Sequence, residues 1–206
     1  MSIDRTVKAL AAKGYNTYQC QTKEEAISYI FDSILAADST DKVMGIAHSE
    51  TLEELGLSER LKNRSKDVFS HRPPLTAAED DRNALMSDYY FLSANAVSED
   101  GYIVNVDGSG NRIAASCFGP KQVVFVLGRN KIVKTLDDAI DRTLNYAAIE
   151  VTKKYGKNID KLPCIVHGQC MNCHYAGCPS GALVIHRKPL FKQKVTIIVI
   201  NQDMGI

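Results

Sequence analysis

Four of the six cysteines in this 206-residue chain fall within 15 residues, as Cys164-x5-Cys170-x2-Cys173-x4-Cys178. Four thiolates complete the shell of a tetrahedral zinc ion or ligate an iron–sulfur cluster, and the central C-x2-C aims two sulfurs at one centre from a single turn. Gly168 and Gly177 let the backbone wrap closely around such a centre. Structural zinc ribbons usually supply two C-x2-C pairs, and this chain has one. The dipeptide Cys178-Pro179 matches the closing Cys-Pro of bacterial ferredoxin motifs. These features point to an iron–sulfur cluster, most simply [4Fe–4S], with zinc as the alternative and a set of reduced, metal-free thiols as the plainest reading. His167 and His174 lie inside the segment and could replace a cysteine as ligand. Met1-Ser2-Ile3-Asp4-Arg5 leads into no apolar signal region, so the clustering argues for a metal or redox centre in a cytoplasmic protein over a disulfide framework. Cys20 and Cys117 stand alone and read as small core residues.

A second group of residues could hold a small anion. Residues 93–115 carry Asn95, Glu99, Asp107, Gly108, Gly110, Asn111 and Arg112 in a strand, turn, strand and helix-start sequence. Free amides at that helix start would suit a phosphate or carboxylate, and Arg112 could clamp it in bidentate fashion. Gly128, Asn130 and Lys131 follow the next strand as a basic loop. The same residue types also serve plain turns, so turn-making alone is the alternative.

Positioning these groups requires a scaffold, and the hydrophobic pattern supplies one. Helices are predicted over 2–13, 22–35, 48–57, 76–88, 113–117 and 135–155, helped by candidate caps at Thr22 and Thr135. Strands are predicted over 43–47, 67–69, 89–97, 102–106, 122–128, 182–186 and 195–200. Near-continuous Val and Ile runs alternating with helices predict an α/β fold, a mostly parallel sheet flanked by helices on both faces. Ligands in such sheets collect beyond the carboxyl ends of the strands, here after Ala47, Val97, Val106 and Gly128. A single domain over 1–206 is expected, with 160–186 as a cysteine-rich metal-binding subregion.

Composition narrows the partners. With 25 Lys and Arg against 24 Asp and Glu, the net charge is +1, and no run of one sign offers a nucleic-acid or membrane-surface footprint. The longest apolar run, 195–200, is far short of the ~20 residues that cross a bilayer. A small anionic metabolite remains the expected ligand, and homo-oligomerisation stays open.

The run from Ser93-Ala94-Asn95-Ala96-Val97 through Glu99-Asp100-Gly101 and Ile103-Val104-Asn105-Val106-Asp107-Gly108 to Gly110-Asn111-Arg112-Ile113-Ala114-Ala115 resembles the LUD domain family, the lactate-utilisation proteins. The resemblance continues through Gly119-Pro120-Lys121, Gly128-Arg129-Asn130-Lys131-Ile132-Val133, Thr51-Leu52-x-Glu54-Leu55-Gly56-Leu57, the cysteine segment and Asp203-Met204-Gly205-Ile206. It implies a fold related to glucosamine-phosphate isomerase, ribose-phosphate isomerase and the CoA transferases. Sugar isomerases of that superfamily carry a catalytic aspartate at a Gly-Ala-Asp strand end, where this chain has Ser93-Ala94-Asn95. Asparagine cannot act as a carboxylate base. Glu99, similar in position to the acidic turn of CoA transferases, is the remaining candidate catalytic carboxylate. Where many relatives have a Gly-Gly-Ser turn, this chain has Gly45-Ile46-Ala47-His48-Ser49-Glu50.

The resemblance implies an iron–sulfur accessory component of lactate or other 2-hydroxyacid oxidation, working with oxidoreductase partner subunits. Two alternatives stand beside it. One is a stand-alone transferase or isomerase acting on a CoA ester or sugar phosphate. The other is a non-catalytic ligand-binding or redox-sensing protein with a structural zinc site. Whether the chain is an enzyme is left open by the residues alone.

Overall fold

Unbroken runs of Val, Ile and Phe can be buried on both sides, and the chain places them at the centre of a parallel sheet. The computed structural model of the chain describes residues 1–35, 40–70, 78–191 and 193–206. The first half runs α1 (Ile3–Ala12), β1 (Asn16–Cys20), α2 (Lys23–Tyr29) with a π-helical continuation (Ile30–Ile34), β2 (Val43–Ile46), α3 (Glu50–Glu54), α4 (Leu57–Lys62) and β3 (Asp67–Ser70). Then come α5 (Ala78–Leu85), β4 (Tyr89–Leu92), β5 (Ala96–Ser98), β6 (Ile103–Asp107), α6 (Asn111–Cys117), β7 (Gln122–Gly128) and the short β8 (Ile132–Val133). The chain ends with α7 (Leu136–Asp141), a π-helical stretch (Arg142–Ala147), α8 (Ala148–Tyr155), α9 (Pro163–His167), β9 (Ala182–His186) and β10 (Lys194–Ile200). The helix expected over 76–88 begins, within the described residues, at Ala78; Thr76 and Ala77 lie outside them.

Six strands form a parallel sheet in the order β1-β10-β7-β4-β2-β3. Its two faces follow the pleat. Val123, Phe125 and Leu127 of β7 and Val195, Ile197 and Val199 of β10 pack with Leu10 of α1 and Ala84 of α5. Val124 and Val126, with Ile198 and Ile200, pack with Ala26, Leu52, Leu57 and Leu61 of α2, α3 and α4 on the other side. Phe91 and Phe125 are fully enclosed, each contributing about 1.5–3 kcal/mol of burial free energy. The expected α/β architecture with helices on both faces is therefore present.

Two departures matter for the site. The helix expected over 48–57 is broken: Gly56, at φ +59°, takes a left-handed conformation open to glycine and divides α3 from α4. The strand expected over 89–97 is also broken. Its first part, β4, stays in the parallel sheet, while β5 crosses into a second sheet of order β8-β5-β6-β9, in which β6 runs antiparallel to both neighbours. The break exposes backbone groups that must find partners. Two asparagines supply them: Asn105 Oδ1 accepts the Asn95 N–H at 2.7 Å, and Asn95 Oδ1 accepts the Val106 N–H at 2.9 Å. An amide side chain both donates and accepts, and Asn105 Nδ2 also donates to the Ser93 carbonyl at 3.4 Å. One face of this second sheet joins the main core through Val97, Ile103 and Ile132, and the other is covered by Ala139 and Leu136 of α7.

Candidate functional site

After β2 the chain turns outward to the edge strand β3, whereas after β4 it proceeds toward β7 and β10 on the opposite side. Connections that leave in opposite directions open a crevice at the carboxyl ends of the strands. A cavity of about 370 Å³ lies there. Its floor comes from the ends of β2 (Ala47, His48, Ser49), β4 (Ser93, Ala94, Asn95) and β6 (Val106, Asp107, Gly108), with Lys131 following β7.

Lys131 is deeply buried, only 3% exposed. Its Nζ donates to Thr51 Oγ1 at 2.9 Å and to Ser93 Oγ at 3.0 Å. Burial, helped by the Arg142 guanidinium, lowers its pKa to about 7. Arg142 itself sits under the cavity and ties two loops together, donating to the carbonyls of Asn95 and Asn130. On the opposite rim, Glu50 accepts hydrogen bonds from Lys154 and Tyr155. Burial pushes the Glu50 carboxyl up, but these two bonds outweigh it and hold it below its ordinary range. Burial and the same Glu50 contact push the Tyr155 hydroxyl up to about 12. His48 stands edge-on to the Tyr155 ring, with Nε2 3.1 Å from Glu53.

The predicted ligand residues divide. Asn95, Asp107, Gly108, Asn111, Arg112 and Lys131 line the cavity; Glu99, Gly110, Gly128 and Asn130 do not. Glu99 points instead at the start of α1, accepting the Ser2 N–H at 2.7 Å with Arg5 3.6 Å away. Gly128 and Asn130 hold the chain end: Asn130 Oδ1 accepts the Met204 N–H and Asn130 Nδ2 donates to the Gly205 carbonyl, so Ile206 reaches the cavity wall. The helix-start amides expected to cradle an anion are already used. Asp107 accepts the N–H groups of Ser109, Arg112 and Ile113, capping α6 with its own carboxylate. Arg112 is also engaged, with Nε 3.5 Å from Asp107 and Nη2 donating to the Val106 carbonyl at 2.7 Å, which fixes its guanidinium at the wall.

The cysteine segment is part of this site. Ala176, Gly177, Cys178 and Pro179 form a wall of the cavity. Gly108 allows the approach, because a Cβ there would lie 2.7 Å from the Cys178 carbonyl oxygen. The LUD domain family matches residues 3–174 of the sequence. The chain belongs to the LUD domain family. In fold, it is similar to the crystal structure of a DUF162 family protein from Deinococcus radiodurans, with a TM-score of 0.51 at 12% identity over 96% of this chain and 95% of that one. No curated protein matches it.

Within this LUD domain chain the four clustered cysteines are half-buried free thiols. Burial and the nearby thiols of Cys173 and Cys178 push the Cys164 thiol up, the electrostatic situation that a bound cation relieves. Asn145 accepts the Cys170 N–H at 2.8 Å, tying the middle of the segment to the helical run before α8. The donor set, four thiols within one segment, fits a thiolate-bound metal or cluster in kind. Among the described residues no three His, Cys, Asp or Glu side chains are already gathered as a cage. His167 and His174 are exposed. Cys20 is buried, its thiol pushed up to about 11 by that burial, as suits a core residue. Cys117 is half-buried at the end of α6. Among the described residues no helix is long and apolar enough to cross a membrane.

Ser93, Thr51, Glu50, Tyr155 and Arg142 were not foreseen as site residues. Thr51 and Glu50 had a usable signal, since they follow a strand whose carboxyl end was expected to carry ligands, whereas Ser93 lay inside the strand expected over 89–97. Tyr155 and Arg142 reach the site only through the packing of a helix distant in sequence.

Proposed function

We propose that this LUD domain protein is an iron–sulfur component of lactate or related 2-hydroxyacid oxidation, holding a small carboxylate in the cavity and working with oxidoreductase partner subunits. The observation that supports this most directly is the shared wall: Cys178 and Pro179 border the same cavity as Lys131 and Arg112. Cys164, Cys170, Cys173 and Cys178 would hold the cluster. Such a cluster, when bound, supplies one-electron transfer. Arg112 brings positive charge to the cavity and attracts the carboxylate, while Asp107 holds its guanidinium in place. Transferase chemistry through Glu99 has no part in this proposal, because that carboxylate is committed to the start of α1.

Anaerobic purification followed by iron, sulfide and zinc analysis tests the cofactor, and calorimetry with lactate tests the pocket. Iron and sulfide in near-equal amounts, together with saturable lactate binding, are the expected results. Zinc without sulfide would make the segment a structural site. Failure to bind any 2-hydroxy or 2-oxo acid, with normal growth on lactate after gene deletion, would overturn the proposal.

A further inference from the structure

We propose that Lys131 is a carbonyl-reactive amine whose Nζ condenses with the keto carbon of a 2-oxo acid in the cavity to form a covalent imine. This rests on the cavity accepting small 2-hydroxy and 2-oxo acids, and adds to it a bond-forming role for one residue.

The hydrogen-bond inventory around Nζ carries the inference. Thr51 donates its hydroxyl to the Met204 carbonyl at 3.2 Å, so toward Lys131 its oxygen can only accept. Ser93 donates its hydroxyl to Thr51 Oγ1 at 3.4 Å and accepts from Lys131 Nζ at 3.0 Å. The two acceptors, Thr51 and Ser93, match the two N–H groups of a neutral amine and leave its lone pair free, whereas the third N–H of an ammonium finds no acceptor among the described residues. None of the ion pairs among the described residues includes Lys131, and the more distant carboxylates of Glu54 and Glu50 favour the ammonium less than burial opposes it. Arg142 and Arg112 both bring positive charge that disfavours the ammonium. A lysine desolvated beside other cations is the usual preparation of an amine nucleophile.

The step is balanced by groups already present. The nitrogen lone pair attacks the keto carbon, a C–N bond forms, and the carbonyl π pair moves to oxygen. Ser93 passes a proton from nitrogen to that oxygen, giving a carbinolamine. The remaining N–H proton passes through Ser93 to the hydroxyl, the nitrogen lone pair forms the C=N bond as the C–O bond breaks, and water leaves the imine behind. No oxidant or second substrate is required. Arg112, on the cavity wall, supplies the charge that orients the acid's carboxylate.

The test uses the full chain with pyruvate and sodium cyanoborohydride, which reduces an imine to a stable secondary amine, read by intact mass and peptide mapping. One adduct on the peptide containing Lys131 is expected. It should form on the order of 100-fold faster at pH 7 than on surface lysines, whose free-base fraction is below ~10⁻³ at that pH. Lactate, which has no keto carbonyl, should give no adduct yet still bind by calorimetry. Ser93→Ala should slow trapping, and Lys131→Met should abolish the adduct. Lactate binding with pyruvate label spread over surface lysines and absent from Lys131 would overturn the imine and leave the carboxylate pocket standing. Loss of both binding and labelling in the native protein would overturn the two together. Mapping the native chain identifies the labelled residue even where a variant fails to fold.

Discussion

Replacing Lys131 with methionine separates the burden of a buried amine from the value of its hydrogen bonds. In the folded chain its pKa is lowered to about 7, against ~10.4 for an unfolded lysine. Between those values the unfolded chain binds more protons, so stability rises with pH across this window relative to a chain without the amine. At about 1.4 kcal/mol per pH step, the folded wild type carries a penalty of roughly 4 kcal/mol at pH 7, nearly gone by pH 10. Lys131→Met removes the penalty and fits a similar straight chain, but loses the bonds to Thr51 and Ser93, about 1 kcal/mol each. The variant should therefore be more stable than the wild type by roughly 2 kcal/mol at neutral pH, less stable at pH 10, and equal near pH 9. Urea unfolding of both proteins in the same metal state, at several pH values between 7 and 10, measures this. The difference cancels cysteine and tyrosine titrations common to both chains. A difference that stays flat over the window would mean that Lys131 titrates like a surface lysine and that its burial has been misjudged.

Other parts of the site make separate predictions. Asp107→Ala should cost roughly 3 kcal/mol in urea unfolding, because it strips the acceptor from three backbone N–H groups at the start of α6 and the partner from Arg112. Gly108→Ala should leave the far-ultraviolet circular dichroism unchanged but weaken lactate binding on the order of tenfold, since displacing the Cys178 carbonyl costs roughly 1–3 kcal/mol; calorimetry reads it. Glu99→Gln should leave lactate affinity within about twofold of wild type and reduce stability by no more than ~1 kcal/mol, as expected of an anchor for α1. A collapse of binding in that variant would return Glu99 to the site.

The apolar runs 123–127 of β7 and 197–200 of β10 made the core of the sheet legible, since few environments other than a two-sided interior suit four or five such residues in a row. The strand-end rule likewise pointed to the positions after Val106 and Gly128, where Asp107 and Lys131 line the cavity. What stayed hidden was decided by contacts remote in sequence. No local signal distinguishes residues 93–95 as a crossing between sheets, because Asn95 and Asn105 repair the backbone only once the two segments meet. The edge strand β1, polar along most of its length, shows no periodicity of its own and forms by pairing with β10. The α6 start has the residue types of an anion cradle, yet the aspartate just before it occupies the amides. Lys131 is an ordinary loop lysine by sequence and becomes a desolvated amine only when Thr51, Ser93 and Arg142 close around it.

The asparagine at position 95 and the lysine at position 131 belong to one arrangement. An aspartate at the strand end would put a carboxylate beside Lys131 and favour its charged form, raising the pKa that burial and Arg142 hold down. Asn95 instead bonds the Val106 N–H with a neutral oxygen, keeps the sheets joined and leaves the amine without a counter-charge. The cysteine segment is coupled to the same place through Gly108, whose backbone meets Cys178 and Gly181. Any metal that orders this segment also sets the cavity wall, so by linkage metal occupancy and carboxylate affinity must change one another by the same factor. Measuring lactate affinity with and without the metal, and metal affinity with and without lactate, should return equal ratios different from one. A ratio of one in both directions would separate the two sites despite their common wall.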